Sequence, residues 1–427
     1  MKFSKSGWLL AGVLAIVGQT LAAPHVTINS VAQRWPWNNR VDITYTVGGG
    51  QKVSENVYYK LVFTAGINGQ TYSVDGGALG ASAADGTHTV TWYNPPAGIK
   101  ATQLTLSAAI CPAEVPSGDD YMIVDLATGT VTYEGMVSQD AANERYNQPL
   151  YKGDKLVLRK VPAGGPYPTG WSGLSDDPNN KQNLNKPKMW TTDRDFYVAI
   201  FMCTQAQYVK LGLTNPSEFK TDDGQDLAMF RPVNKVSWDT LRGKNYSAKL
   251  DLGEDAAGTS FLKRLNARTK QASGITAFDL PGEVMFEIAT RAGVSDTKYY
   301  WGDTPDDKFR YAFATKSWDT VGIQNGFSWK RPYMVGSCQP NRWGFYDMSG
   351  LSWEWMRDDN SLSNLGDAAG PFVFAWAGGR TKARARGGAI YDANMTDNEF
   401  RASHRNETDM NNSSRQHHGF RIAWIRQ

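Results

Sequence analysis

From Val41 onward the side chains alternate, with Val41, Ile43, Tyr45 and Val47 apolar and Asp42, Thr44 and Thr46 polar between them. A period of two is that of a strand with one face covered and the other in water. The pattern breaks at Gly48 to Gly50 and returns at Val57, Tyr59, Leu61 and Phe63, at His88, Val90 and Trp92, and at Leu104, Leu106, Ala108 and Ile110. Asn68-Gly69, Asp85-Gly86 and Pro95-Pro96 supply turn chemistry between the runs. Short strands at this spacing predict an antiparallel β-sandwich of immunoglobulin-like size over residues 24–137. Its expected last pair is Tyr121 to Leu126 and Val131 to Val137, around Gly129. His88 falls on the apolar face of its strand and reads as a packed ring rather than a ligand.

Residues 138–153 are polar and unpatterned, which predicts a linker. Beyond it, Thr204 and Gln207 form a capping-box pattern that opens a short helix through Tyr208 and Leu211. Phe261, Leu262 and Leu265 predict a second helix closed by Gly274, and Val284, Met285, Ile288, Ala289 and Ala292 a third ended by Gly293. Loops rich in Trp, Asn, Asp and Gly fill the remainder, without internal repeats.

At the N-terminus, Lys2 and Lys5 precede an apolar run from Gly7 to Val17 and then the small residues Ala22 and Ala23, the order of an export signal over residues 1–22. The expected product is secreted, periplasmic or held at a cell surface. The run is short for a bilayer span and no second one follows, so no membrane span is expected after cleavage. No cysteine follows the small residues, which argues against a lipid anchor.

Composition narrows the partners. With 45 basic and 42 acidic residues the formal charge is +3 and no basic block stands out, so no nucleic-acid partner is expected. Fifteen Trp, 19 Tyr and 17 Phe beside 42 Gly describe a core of rings joined by irregular backbone. Three cysteines, Cys111, Cys203 and Cys338, allow at most one disulfide, and their spacing leaves the pairing open. They read most simply as small buried hydrophobes. No GxSxG elbow, HExxH, P-loop or dinucleotide fingerprint occurs.

The second half carries ordered segments: LVLRKVPAG from Leu156, DFYVAIFMCTQA from Asp195, Asn215-Pro216-Ser217, Arg231-Pro232-Val233 and Val236-Ser237-Trp238. They continue with Leu280-Pro281 through Glu287-Ile288-Ala289-Thr290-Arg291, Tyr300-Trp301-Gly302-Asp303, NRWGFYDMSGLSWEW from Asn341, Arg386-Gly387-Gly388 and Gly419-Phe420-Arg421. In this order they resemble the formylglycine-generating enzyme, or sulfatase-modifying factor, family over residues 154–427. The resemblance implies a loop-rich domain similar to the C-type lectin fold, and hence an α+β chain with the β-sandwich in front.

The resemblance also implies a site. In the family, two cysteines after Arg-Gly-Gly bind copper as thiolates and activate oxygen. Here the segment reads RGGAIYDANMTDNEF, with Asp392 and Asp397 at the cysteine positions and Ala389 at that of a neighbouring serine. Carboxylates do not reproduce the preference of thiolates for Cu(I), so copper is not expected. Asp392, Asp397 and His404 could instead gather an oxygen-loving ion, or form an inert loop of Asx-turns. The family's structural Ca²⁺ maps onto the side chains of Asp347 and Glu354 and the carbonyls of Gly350 and Ser352. A cleft of Trp353, Tyr391, Asp392 and His404 would take a protein or glycan ligand, although Trp353 and Trp355 also read as core rings. His417 and His418 are adjacent and point to opposite faces. Three functions stay open: a calcium-stabilised binding module without enzymatic chemistry, a divergent metal-dependent oxidase acting on a protein substrate, and a generic β-rich adhesin.

Overall fold

The computed structural model describes residues 25–33, 41–49, 57–74, 86–92, 99–114, 117–136, 139–173, 187–218, 220, 228–244, 258, 260–304, 334–377, 381–389, 399–412 and 417–427. The expected export signal lies outside these. Among the described residues no helix is long and apolar enough to cross a membrane.

The alternating runs are strands: β1 (His25–Gln33), β2 (Val41–Gly48), β3 (Val57–Ile67), β4 (Gln70–Ser73), β5 (Gly86–Trp92) and β6 (Thr105–Glu114). They make two three-stranded antiparallel sheets, ordered β1-β2-β5 and β4-β3-β6. Val41, Ile43, Tyr45 and Val47 are buried and share one apolar cluster with Leu61, Phe63, Ala65 and Trp92. Tyr45 meets Phe63 edge-on at 5.1 Å and the His88 ring at 5.5 Å, so His88 is packed as expected. On the wet face of β2, hydroxyls pair across strands at Thr44–Thr89 and Thr46–Thr87. Asn68 and Gly69, both at positive φ, form the two-residue turn between β3 and β4.

The pair expected to close this sandwich belongs elsewhere. β7 (Tyr121–Asp125) and β8 (Val131–Glu134) join β9 (Lys155–Val161) in a five-stranded sheet ordered β17-β12-β9-β7-β8. β7 is buried on both faces, with Tyr121 and Ile123 in one core cluster and Met122 and Val124 in another. Such a strand needs a layer on each side, and its own sequence does not say which layers those are. At the hairpin turn, Gly129 has φ 83° and a Cβ there would overlap the Arg268 carbonyl.

Nor is 138–153 a linker. It forms α1 (Gln139–Tyr146) and α2 (Pro149–Gly153), and Asn143, Arg145 and Lys152 of these helices are buried, as are Asn147 and Gln148 between them. Its polarity is consumed by tertiary hydrogen bonds: Arg145 donates through two nitrogens to Glu134, each at 2.9 Å, and the Tyr146 hydroxyl donates to the same carboxylate at 2.6 Å. A helix that is polar all round lacks the apolar stripe by which sequence reveals helices.

The chain continues through the hairpin β10 (Gly164–Thr169) and β11 (Lys188–Thr192), then β12 (Phe196–Ala199) and α3 (Gln205–Lys210). The expected capping box opens α3, with Thr204 Oγ1 accepting from Gln207 N at 3.1 Å and Gln207 Oε1 accepting from Thr204 N at 2.9 Å. Next come α4 (Trp238–Arg242), α5 (Phe261–Ser273), which Gly274 ends at φ 69°, and α6 (Glu283–Arg291), which Ala292 ends at φ 48°. A four-stranded sheet ordered β15-β14-β13-β16 follows, from β13 (Trp353–Asp359), β14 (Lys382–Arg386), β15 (Asn406–Asp409) and β16 (His418–Gly419). β17 (Ala423–Ile425) returns to pair with β12. The result is α+β, rich in short sheets and poor in helix.

Candidate functional site

β14 delivers the Arg-Gly-Gly segment. Arg386 has no exposed surface; its Nη2 donates to Glu287 at 2.7 Å and to the Ala402 carbonyl at 2.9 Å, and its Nη1 to Glu283 at 3.2 Å. Gly387 and Gly388, at φ 91° and 80°, then turn the chain out of the strand, a conformation that side chains with a Cβ rarely adopt. The Gly387 carbonyl accepts from Gly350 N at 2.7 Å, which ties this turn to the loop before β13.

Ala389, where the family has a serine, is fully buried beside Tyr299, Trp353, Ala385 and Phe400. The neighbouring candidates Tyr391, Asp392 and Asp397 lie outside the described residues. Of the expected cleft, the structure brings together Trp353 and His404, with ring centroids 5.6 Å apart. His404 is half-buried, whereas Trp353 is 2% exposed and is a core ring, not an open platform. His418 is buried and its Nε2 lies 3.1 Å from Thr408 Oγ1, while His417 is half-buried; their ring centroids are 5.0 Å apart, so the two do not point to opposite faces as expected, because the segment bends rather than running as a flat strand. Cys203 and Cys338 are both buried. Burial pushes the Cys203 thiol well up, away from the thiolate that copper needs.

The expected calcium residues occupy a tight loop in which Asp347, Gly350 and Leu351 all have positive φ. Both oxygens of Glu354 accept from Arg421, at 2.5 Å from Nε and 2.7 Å from Nη2, and neither side chain is exposed. Arg421 also donates to the carbonyls of Ala199 and Tyr346, each at 3.1 Å. Asp347 accepts from Gly336 N at 2.7 Å through Oδ2. Its Oδ1, like Ser352 Oγ, is buried without a hydrogen-bond partner among the described residues. Burial raises the Asp347 carboxyl to about 6, partly offset by the Gly336 amide, Arg421 and the buried Lys152.

This arrangement does not fit calcium. A hard dication takes six to eight oxygens. Here a guanidinium holds one of the two carboxylates and an ammonium acts on the other. Among the described residues no three His, Cys, Asp or Glu side chains converge on one point.

A larger ionic cluster escaped sequence reasoning. Glu283 and Glu287, one turn apart on α6, face Arg386 and Arg405 from the β14–β15 layer, and Arg291 donates to Glu287 at 2.9 Å. Coulombic and hydrogen-bond contributions from Arg405, with Arg386 and Arg384 beside it, overcome burial and hold Glu283 down to about 2. The signal was present: Lys382, Arg384 and Arg386 alternate with alanines on β14, and such a cationic strand face requires acids opposite it. A concavity of about 490 Å³ lies elsewhere, between α1 and the loops at Trp301 and Arg342. Part of its amide chemistry is already used, since Gln139 Nε2 donates to the Tyr121 hydroxyl and to Asn143.

Comparison with known proteins decides the family. The sulfatase-modifying factor enzyme 1-like domain matches residues 159–426, from within β9 to the penultimate residue. The chain belongs to this family. The chaperone protein LppX of Paenibacillus barcinonensis is 26% identical over 226 residues, covering 47% of this chain and 72% of LppX. The formylglycine-generating enzyme of Streptomyces coelicolor is 30% identical over 148 residues, 34% of this chain and 46% of that enzyme. Among solved structures, Treponema denticola variable protein 1 is 18% identical with a TM-score of 0.45, covering 63% of this chain and 95% of that one. PvdO from Pseudomonas aeruginosa is also 18% identical with a TM-score of 0.45, over 62% and 93%. The family match begins downstream of β7, β8, α1 and α2, so the elements that complete the sheet and carry Lys152 lie outside it.

Proposed function

We propose that this chain is an exported sulfatase-modifying-factor-family protein that binds a protein ligand and does not oxidise cysteine with copper. One observation carries the reading: Asp392 and Asp397 stand where the family's chemistry needs two thiolates. Among the described side chains no cysteine compensates, because Cys203 and Cys338 are buried. A protein ligand is favoured over a glycan because a relative that matches over 72% of its own length bears the name of a chaperone. His404, half-buried against Trp353, marks where the ligand would meet the domain. The N-terminal sheets, read as an immunoglobulin-like sandwich, would serve for attachment.

Two measurements test this. Purified protein loaded with Cu(I) and desalted is expected to retain no stoichiometric copper. Extended peptides, followed by fluorescence anisotropy, are expected to bind the wild type and to lose about tenfold in affinity, about 1.4 kcal/mol, with His404→Ala. Stoichiometric copper or iron that Asp392→Ala removes would replace this reading with that of a divergent oxidase acting on a protein substrate. Binding of oligosaccharides but not peptides would move the ligand class to glycans.

A further inference from the structure

We propose that Lys152, carried on α2 from outside the family match, supplies beside Asp347 the positive charge that a divalent cation would otherwise bring, so that this core loop is locked by the chain's own cations. Charge balance is the first argument. Asp347 and Glu354 contribute two negative charges, and Arg421 and Lys152 contribute two positive ones. A calcium ion added to this pocket would leave an excess of positive charge in a buried place, which is costly.

Geometry is the second argument. Lys152 is 4% exposed, and its Nζ lies 5.4 Å from the centroid of Phe201, whose ring packs on Tyr346 at 4.8 Å, directly before Asp347. The backbone around Lys152 is pinned from α3: Thr204 Oγ1 donates to the Lys152 carbonyl at 2.6 Å, and Gln207 Nε2 to the carbonyls of Tyr151 at 3.1 Å and Lys155 at 2.7 Å. The same upstream segment grips the Asp347 loop directly. Asn147 Nδ2 donates to the Gly336 carbonyl at 3.2 Å, and Gly336 N donates to Asp347 Oδ2 at 2.7 Å. Asp347 Oδ1 is left as the buried oxygen without a hydrogen-bond partner among the described residues. Each of the two charges acts on the other, since burial lowers Lys152 to about 8 and the Asp347 carboxylate draws it back up.

The first arm of the test uses the unmodified protein. Its melting temperature in excess EDTA and in millimolar CaCl₂ is expected to agree within about 1 °C, because a ligand held at a hundred times its dissociation constant would raise it by roughly 5–10 °C. A calcium-dependent rise of that size, with calcium retained through desalting, would overturn the proposal. The second arm is a cycle of Lys152→Met, Asp347→Asn and the double variant. The expected result is a double variant that melts above Lys152→Met, because it no longer buries an unpaired carboxylate. Additive losses would refute the pairing. If Lys152→Met alone does not fold, rescue by Asp347→Asn supports the pairing and failure of rescue counts against it.

Discussion

Five of the buried acids, Glu283, Glu287, Asp347, Glu354 and Asp358, divide into two groups that differ in pKa direction although all are nearly or fully inaccessible. On the α6 side, Glu283 meets three guanidiniums and Glu287 two, and both are held below the usual carboxylate range. On the other side, Glu354 has one guanidinium, Asp347 one amide and more distant cations, and Asp358 two amides with Glu283 as a repelling neighbour. These three are raised, with burial the largest cause in each, Asp347 and Asp358 to about 6. Among these five, one bidentate guanidinium at Glu354 does not offset burial, whereas two at Glu287 and three at Glu283 do. Arginine suits the first cluster because its fork serves two acids at once, as Arg386 does for Glu283 and Glu287.

The contrast is broken most severely by Glu287→Leu, which leaves Arg386 and Arg291 without their shared acid. A loss of about 3–5 kcal/mol in urea unfolding is expected, and a loss under about 1 kcal/mol would put the two groups on the same footing. The next effect depends on pH. Asp358 has a folded value above its unfolded one, so the folded state holds its proton between about pH 4 and 6, and its contribution is greatest below that window and falls as pH rises through it. Glu283 runs oppositely: its contribution is complete above about pH 4.5 and is lost as pH falls toward 2. Asp358→Asn is therefore expected to flatten the stability profile between about pH 4 and 6 by roughly 2–3 kcal/mol, measured by chemical unfolding across pH, while leaving the acid limb in place. A slope unchanged by the substitution would remove Asp358 from the raised group. The smallest effect sharpens the account of Lys152. Thr204→Ala removes both the α3 cap and the tether to the Lys152 carbonyl, and a loss of about 1–2 kcal/mol is expected by the same method.

Sequence made the local elements legible wherever a period or a cap was present. The alternation of β2, the Thr204–Gln207 box and the Gly274 end of α5 lie where their residues placed them, while α6 closes one residue before the expected Gly293, on Ala292. What failed was assignment of partners. β7 is apolar on both faces, unlike the alternating β2, and its place is fixed by pairing with β9, which nothing local to Tyr121–Asp125 encodes. α1 reads as solvated because its amides look exposed until Glu134, Tyr121 and Gly336 arrive to bond the segment that carries them. The site was half legible for a related reason. Family order located Asp347 and Glu354, but the cations that act on them come from Arg421 and Lys152, far away along the chain.

The return of the chain's end to the middle of the fold bears on its biosynthesis. Arg426 donates to Asp119 at 2.8 Å across 307 positions, and β17 covers the free edge of β12. While the chain is still emerging from the ribosome, Phe196, Tyr197 and Val198 present an unpaired apolar edge of the kind that recruits other strands. The N-terminal sheets can close early, whereas the family domain has to wait for its final residues, a delay expected of long-range topology. Truncation by even a few residues at the C-terminus would thus act on the nascent chain as much as on the finished protein.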